Sequence, residues 1–154
     1  MEPSPQPVAQ TAKADLGKRF IAAVIDGAIA GVVGLIPWIG GIIGGLYILL
    51  RDGLDYEYLR GRSVGKTLMK LKPVRLDGQP MDTATSIKRN WMLALGLISL
   101  VLVLIPVIGW IALALLWVAA PVIGLIEVIL VATDKEGRRW GDRLSGTKVV
   151  ETTD

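Results

Sequence analysis

The stretch RFIAAVIDGAIAGVVGLIP, residues 19–37, places a single carboxylate, Asp26, inside an otherwise uncharged apolar run of membrane length. Arg19 stands seven residues earlier, about two helical turns away. Both side chains therefore fall on one helix face, roughly 10 Å apart along the axis. A charge at bilayer depth costs several kcal/mol, so Asp26 requires a partner or a watered path. Two readings follow. Asp26 is a buried pair with an arginine (Arg19, Arg51 or Arg89) that holds a helix bundle together. Or it is a cation or proton site tuned by Arg19, because a carboxylate in low dielectric binds its proton more tightly and can exchange it.

The rest of the composition suits a membrane-embedded chain. Hydrophobic residues make up 52% of 154 and the mean hydropathy is +0.53, too apolar for an ordinary soluble domain. With no Cys and no His, the chain lacks thiolates, disulfides and the commonest metal ligand and neutral-pH base. These absences weigh against an enzyme. No cofactor, metal or nucleic-acid partner is expected. Residues 1–14, with Glu2 and three prolines, do not read as a signal peptide and are expected to be a disordered tail. Residues 15–151 form the expected membrane domain, and 152–154 a short C-terminal tail.

Outward from residue 37, PWIGG reads as a tight turn. A second apolar run begins at Trp38 and stays uncharged to Leu50. That is short of the roughly 20 residues a span needs. Continuation to Leu59 is expected, with Arg51, Asp52 and Asp55 in the interface and Tyr56 and Tyr58 in an aromatic belt. A third run covers 91–105, PVIG makes a second turn, and a fourth run covers 110–132, containing Pro121 and Glu127. The expected fold is an all-α membrane protein with four transmembrane helices, about 17–36, 39–59, 89–105 and 108–132, and a loop at 60–88. The Lys and Arg residues cluster in the tails, the central loop and the adjoining helix ends, while both turns are uncharged. The positive-inside bias then puts both termini and the loop in the cytoplasm of a multi-pass inner-membrane (cytoplasmic-membrane) protein. Arg89, at the mouth of the third run, reads most simply as a positive-inside anchor.

The two halves repeat. LIPWIG at 35–40 matches LIPVIG at 104–109, and GRSVGKTLMKLKPVR at 61–75 matches GRRWGDRLSGTKVVE at 137–151. Two parallel hairpins related by a pseudo-twofold axis along the membrane normal are expected. That symmetry sets Lys66 opposite Asp142 and Arg51 opposite Glu127, and the opposite charges are expected to meet.

GRSVGKT is not a phosphate-binding P-loop, because only three residues separate Gly61 from Gly65. It reads instead as an amphipathic interfacial helix, Ser63 to Leu71, with Arg62, Lys66 and Lys70 reaching anionic lipid headgroups. Asp77-Gly78 signals a hairpin turn, and short strands after each GRxxGxxL segment are expected to pair in a small cytoplasmic cap. Small residues repeat at four-residue spacing in Ala23, Gly27 and Gly31, and again in Gly40/Gly44 and Gly41/Gly45. They suit close helix packing within the hairpin or against a second copy of the chain. Glu127 lies nearer the cytoplasmic end and is a possible second carboxylate.

These residues resemble the RDD family of membrane proteins, named for an Arg at the start of the first helix, an Asp in its middle and a second Asp elsewhere. Arg19 and Asp26 match the first two. GRSVGKTLMKLKPVRLDG is similar to the family's G-x-T/S-x-G-K-x-L…V…DG loop, and GDRLSGTKVV to its closing D-[KR]-L-[SA]-G-T-x-V-V, which makes Asp142 the second Asp. The resemblance covers about residues 14–151; it departs at the longer RDGLDYEYL segment and at Trp140. It implies an integral membrane protein and transport of a ligand, with sodium or proton antiport in some members. It also implies that Arg19, Asp26 and Asp142 act as a set, with Asp142 free to form a structural clasp to Lys66 or an arginine. The expected function is a small transporter or transport accessory unit, homo-oligomeric because four short helices enclose little volume. The rival expectation is a scaffold that docks another protein or anionic lipid through its basic cytoplasmic face.

Overall fold

The computed structural model describes residues 13–54 and 59–153. Helix α1, Leu16–Gly34, starts where Asp15 accepts a hydrogen bond from the Lys18 N–H at 2.9 Å. Such a cap satisfies one orphan donor of the first turn. The helix runs through the apolar stretch and stops short of Pro37, and a turn follows in which Trp38 takes φ 69°. Helix α2, Gly40–Leu50, folds back along α1. Side chains added at Gly40 or Gly44 would strike the α1 carbonyls of Val33 and Ala30, while Gly41 and Gly45 face Leu100 and Leu97 of a later helix. The α2 glycines therefore let two helices approach one thin helix. In α1 the expected ladder does not pack: Gly27 and Gly31 look onto open space, and Ala23 is exposed.

Helix α2 ends at Leu50 rather than near Leu59, and Arg51 to Gly53 form a turn. The cause is electrostatic. Arg51 turns back to Asp26 at 2.8 Å, and Asp52 turns inward to Lys66 at 2.6 Å. A continued helix would carry both away from those partners. Asp55, Tyr56 and Tyr58 lie outside the described residues.

The expected amphipathic helix is shorter and faces the other way. Helix α3, Val64–Leu68, is capped by Ser63 and lies so close to α1 that a side chain at Gly65 would meet the Ala22 carbonyl. Arg62, Lys66 and Leu71 are buried. Of the three expected headgroup contacts, only Lys70 stays exposed, at φ 54° where the chain turns into β1, Leu71–Arg75. Asp77 and Gly78 do form a turn, but no hairpin strand follows it. The chain enters α4, Thr83–Asn90, capped by Asp82. The third apolar run is thus segmented: α4, a 3-10 turn at Trp91–Ala94, then α5, Leu95–Leu102. Helix α6, Ile108–Thr133, keeps Pro121 in its interior. A short α7, Trp140–Leu144, leads to β2, Thr147–Glu151. Strands β1 and β2 pair antiparallel, Leu71 with Glu151, Pro73 with Val149 and Arg75 with Thr147.

Equivalent positions of the two halves carry equivalent geometry. Trp38 and Val107, the residues after the two turn prolines, both have positive φ, as do Gly61 and Gly137, and Lys70 and Gly146. Gly40 is pressed against the Val33 carbonyl and Gly109 against that of Leu102. Gly65 lies on the α1 backbone at Ala22, and Gly141 on the α4 backbone at Arg89. Pro73 and Val149, central residues of the two matched strands, are register partners.

The apolar core is small: Ala14, Ala22, Leu71 and Val149 with Met69 against them. Most fully buried side chains are polar or charged. The apolar surface faces outward, most visibly on α6, where Leu115, Trp117 and Val118 are exposed. At 26 residues and mean hydropathy 2.5, α6 is long and apolar enough to cross a bilayer. Helix α1 has 19 residues, about 28 Å of rise, but carries Lys18, Arg19 and Asp26. Lys13 and Ala14, expected to belong to a disordered tail, are packed against the rest of the chain. Lys13 donates to the Ala132 carbonyl at 3.0 Å and Ala14 is fully buried; residues 1–12 lie outside the described residues.

Candidate functional site

Three buried carboxylates organise one end of the molecule. Asp26 reaches it from the middle of α1. Its Oδ1 accepts from the Tyr47 hydroxyl at 2.9 Å and the Gly65 N–H at 2.8 Å; its Oδ2 accepts from the Ser63 hydroxyl at 2.6 Å and faces Arg51 Nη1 at 2.8 Å. The close approach of α3 at Gly65 makes this possible, because it brings a backbone N–H onto a helix interior. Every lone-pair direction of Asp26 is served, so its burial at 1% exposure is compensated.

Asp52, fully buried in the turn after α2, receives Lys66 Nζ at 2.6 Å and Asn90 Nδ2 at 3.1 Å, with Arg89 Nη1 at 3.4 Å. Burial alone would raise its carboxyl, but Lys66, Arg89 and Arg51 outweigh that and hold it well below the usual carboxylate range. Burial pushes the Lys66 ammonium the other way, down to about 7, with Arg51 and Arg89 adding to the effect and Asp52 opposing it.

Asp142 sits in α7, fully buried. Arg89 Nε donates to its Oδ1 at 2.7 Å, Arg19 Nη2 to its Oδ2 at 3.1 Å, and Arg139 lies 3.5 Å from Oδ1. Against the rise that burial would cause, Arg89, Arg139 and Arg19 hold this carboxyl far down. Arg89 thus bridges Asp142 and Asp52, tying the second half to the turn after α2. Arg139 extends the link by donating to Asn90 Oδ1 at 2.6 Å.

The structure re-sorts the expected partners. Arg19 and Asp26 do not pair; Arg19 serves Asp142 and the Gly137 carbonyl, and Asp26 takes Arg51. The expected meetings of Lys66 with Asp142 and of Arg51 with Glu127 do not form: Lys66 takes Asp52, Arg51 takes Asp26, and Asp142 takes three arginines. Arg89, expected as a positive-inside anchor at the mouth of the third run, is a buried bridge between two acids. Asp52, Tyr47, Ser63, Asn90 and Arg139 join the network although the sequence reading gave them no role in it. The available signal was Asp52 itself, a second acid directly after an uncharged run.

Above this network lies a cavity of about 780 Å³. Its polar end is formed by Arg19, Arg51, Lys66, Arg89 and Arg139, with Asp26 and Glu127. Its walls come from α1, α6 and the segment from Arg89 to Gly96, at Phe20, Leu93, Gly96, Ile123, Gly124 and Val128. Glu127 lies midway in burial on α6, faced by the backbone N–H groups of Trp140 and Gly141, and its Oε2 has no hydrogen-bond partner. Two deeply buried guanidinium nitrogens of the network make no hydrogen bond: Arg51 Nε, and Arg89 Nη1, whose contact is the ion pair to Asp52 at 3.4 Å.

An outward-facing apolar helix of membrane length, joined to a buried ionic cluster, fits an integral membrane protein. The sequence profile of the RDD family, a membrane protein family, matches residues 40–146, and the chain belongs to the RDD family. The match begins after α1, so Arg19 and Asp26 stand outside it. The comparisons with curated proteins and with solved structures gave no match.

Proposed function

We propose that the chain is a four-span inner-membrane transport protein or transport accessory unit, whose working element is the cavity between the two hairpins. The recurrence of positive-φ turns and glycine contacts in both halves supports two parallel hairpins around a pseudo-twofold. The strands and the buried network then form the cytoplasmic cap, with both termini on that side. Helices α2 and α5 are short for a span, so the bilayer thins beside them.

The observation that carries the reading is the contrast between two carboxylates. Asp26 has four partners, whereas Glu127, a residue of the cavity wall, has a buried oxygen, Oε2, with none. Glu127 is therefore the proton- or cation-exchanging group in this reading, and Asp26 the charge that locks α1 to α2 and α3. The test is proton flux driven by sodium or potassium gradients in proteoliposomes. The unmodified chain is expected to show cation-dependent flux, Glu127→Gln to lose it while remaining folded, and Asp26→Asn to lose stability first. Flux unchanged in Glu127→Gln sinks the assignment.

The same four contacts on Asp26 also favour the rival reading, a non-transporting scaffold that docks a membrane protein or anionic lipid. In that case the unmodified chain conducts no ion tested, and Asp26→Asn abolishes assembly.

A further inference from the structure

We propose that the seam between α1 and α6 is a gate over the cavity. It closes when the outer half of α6, the end away from the ionic network, docks Trp110 and Ala114 on Gly31 and Ala28 of α1 in the same chain. The proposal rests on the reading of two hairpins around a pseudo-twofold, and adds the movement that opens and shuts the cavity between them.

The internal repeat says what should cover this face of α1. The turn match pairs residue 35 with 104 and 40 with 109, a shift of 69. The backbone keeps that shift inside the helices, since Gly40 is pressed on the Val33 carbonyl and Gly109 on that of Leu102. At their outer ends α1 therefore corresponds to α5, and α2 to α6. This relation generates two equivalent contacts between the hairpins. One is made: Gly41 and Gly45 of α2 face Leu100 and Leu97 of α5. The same shift carries that contact to Trp110 on Gly31 and Ala114 on Ala28. There the seam is open. Nothing lies within 4 Å of where a side chain at Gly31 would begin, Ala28 and Ala114 are exposed, and Trp110 is 57% exposed.

The residues of the open seam suit closure. In the closed seam the large side chains stand on the first helix of a hairpin and the glycines on the second. In the open seam these roles are exchanged at one position, with Trp110 on the second helix and Gly31 on the first, while Ala28 and Ala114 are small on both sides. Small residues let helix backbones approach closely.

Helix α6 also has a place to bend. Its inner end is tied where Lys13 donates to the Ala132 carbonyl at 3.0 Å. Between that tie and Ala114 lies Pro121, which has no N–H to donate along the helix and is a usual site of kinking. The cavity lies between the two helices, with Phe20 and Ala23 on one wall and Ile123 and Gly124 on the other. The ionic network forms its inner end, so docking of the outer half of α6 encloses Asp26 and Glu127.

The test uses the full chain in proteoliposomes. The chain has no cysteine of its own, and a disulfide needs Cα atoms within about 7 Å. Ala28→Cys with Ala114→Cys is oxidised by copper phenanthroline, beside Ala28→Cys with Ala119→Cys, whose second site is exposed but lies on another face of α6. The first pair is expected to form a disulfide within one chain and the second to resist. Adding Gly31→Leu, which meets open space in this structure, is expected to leave the melting midpoint in place and slow the crosslink about tenfold or more by overfilling the closed seam. Equal crosslinking of both pairs, crosslinks only between copies, or an unchanged rate with Gly31→Leu overturns the gate. Proton flux is measured before and after oxidation. Flux lost on crosslinking and restored by reductant is expected; flux that persists through the crosslink also overturns the gate. No flux in any state, with the expected crosslinks, removes the transport reading and leaves the closing movement standing.

Discussion

Asp26 and Asp142 are both buried acids with arginine partners, but they differ in what a neutral replacement leaves behind. Asp26→Asn strands one cation, Arg51, but keeps one carbonyl oxygen that can accept from the Tyr47 hydroxyl and the Gly65 N–H; its amide NH2 then faces the Ser63 hydroxyl, which can turn to accept. Asp142→Asn removes the carboxylate shared by Arg19, Arg89 and Arg139, leaving Arg89 its second acid, Asp52, at 3.4 Å. Breaking a buried pair from one side typically costs about 3–5 kcal/mol. Asp142→Asn is expected at or above that range and Asp26→Asn at its lower end, read as unfolding midpoints in detergent. The reverse order would mean that Arg19 and Arg139 relax into solvent. The same acids set the acid limit. The carboxyls of Asp52 and Asp142 are depressed in the folded chain, so their contribution is fully present above the unfolded value near 4 and fades as the pH falls below it. Lys66 acts in the other window. Its folded value is about 7 against 10.5 for a free lysine, so between those values the unfolded chain holds a proton that the folded chain has shed, and stability rises with pH. Lys66→Met is expected to flatten that rise; an unchanged slope from pH 7 to 10 would show that another group is responsible.

Within the elements, glycine decides which helices touch, and the consequences are position-specific. Gly65 and Gly141 bring α3 onto α1 and α7 onto α4; these two contacts place Ser63 beside Asp26 and Asp142 beside Arg89. Gly65→Val or Gly141→Val would drive a methyl group into a backbone carbonyl, and loss of the folded form is expected. At Gly27 and Gly31 a methyl group meets open space. Replacing either with Ala is expected to be neutral or to stabilise by up to about 1 kcal/mol through helix propensity. Melting curves of the four variants separate the two classes, and loss of the fold at Gly31→Ala would reveal a partner surface on α1. The spacing of small residues alone does not make this distinction, since both ladders have the same period; only the position of the second helix does. The sequence showed the apolar runs, the turns at Pro37 and Pro106 and the paired short strands, because each depends on local chemistry or period. It did not show where α2 ends, because Arg51 and Asp52 leave the helix for partners on α1 and α3 that are distant in sequence. For the same reason Lys66 read as a headgroup contact: the amphipathic pattern of residues 63–71 does not reveal that a buried acid, Asp52, waits on the other side. Asp26 was legible as a charge needing a partner, and Arg51 was among the arginines weighed for it. Its hydroxyl and backbone partners, which converge through tertiary contacts, were not.

At the scale of the whole molecule, the transport reading requires two halves that are copies related by an axis. The matched strands make this testable because an antiparallel pair of equivalent segments can place its centre on a twofold only in one register. Here that centre is Pro73 opposite Val149, with Val74 opposite Lys148 and Lys72 opposite Val150. A slip of β1 by one residue would turn Leu71 and Pro73 out of the core and bring the exposed Lys72 in. The parent chain has no cysteine, so introduced pairs report without background. Val74→Cys with Lys148→Cys is expected to form an intramolecular disulfide readily, whereas Val74→Cys with Val150→Cys, two positions out of register, is expected to resist oxidation. The same chemistry reads topology. A cysteine replacing the exposed Trp38 or Val107, in the turns of the two halves, is expected to react with an impermeant maleimide from one side of an intact membrane vesicle, and one replacing Lys88 from the other. Labelling of Trp38→Cys and Val107→Cys from opposite sides would invert one hairpin relative to the other. That would leave the repeated glycine contacts without a common axis, and the cavity could not be an interface between parallel halves.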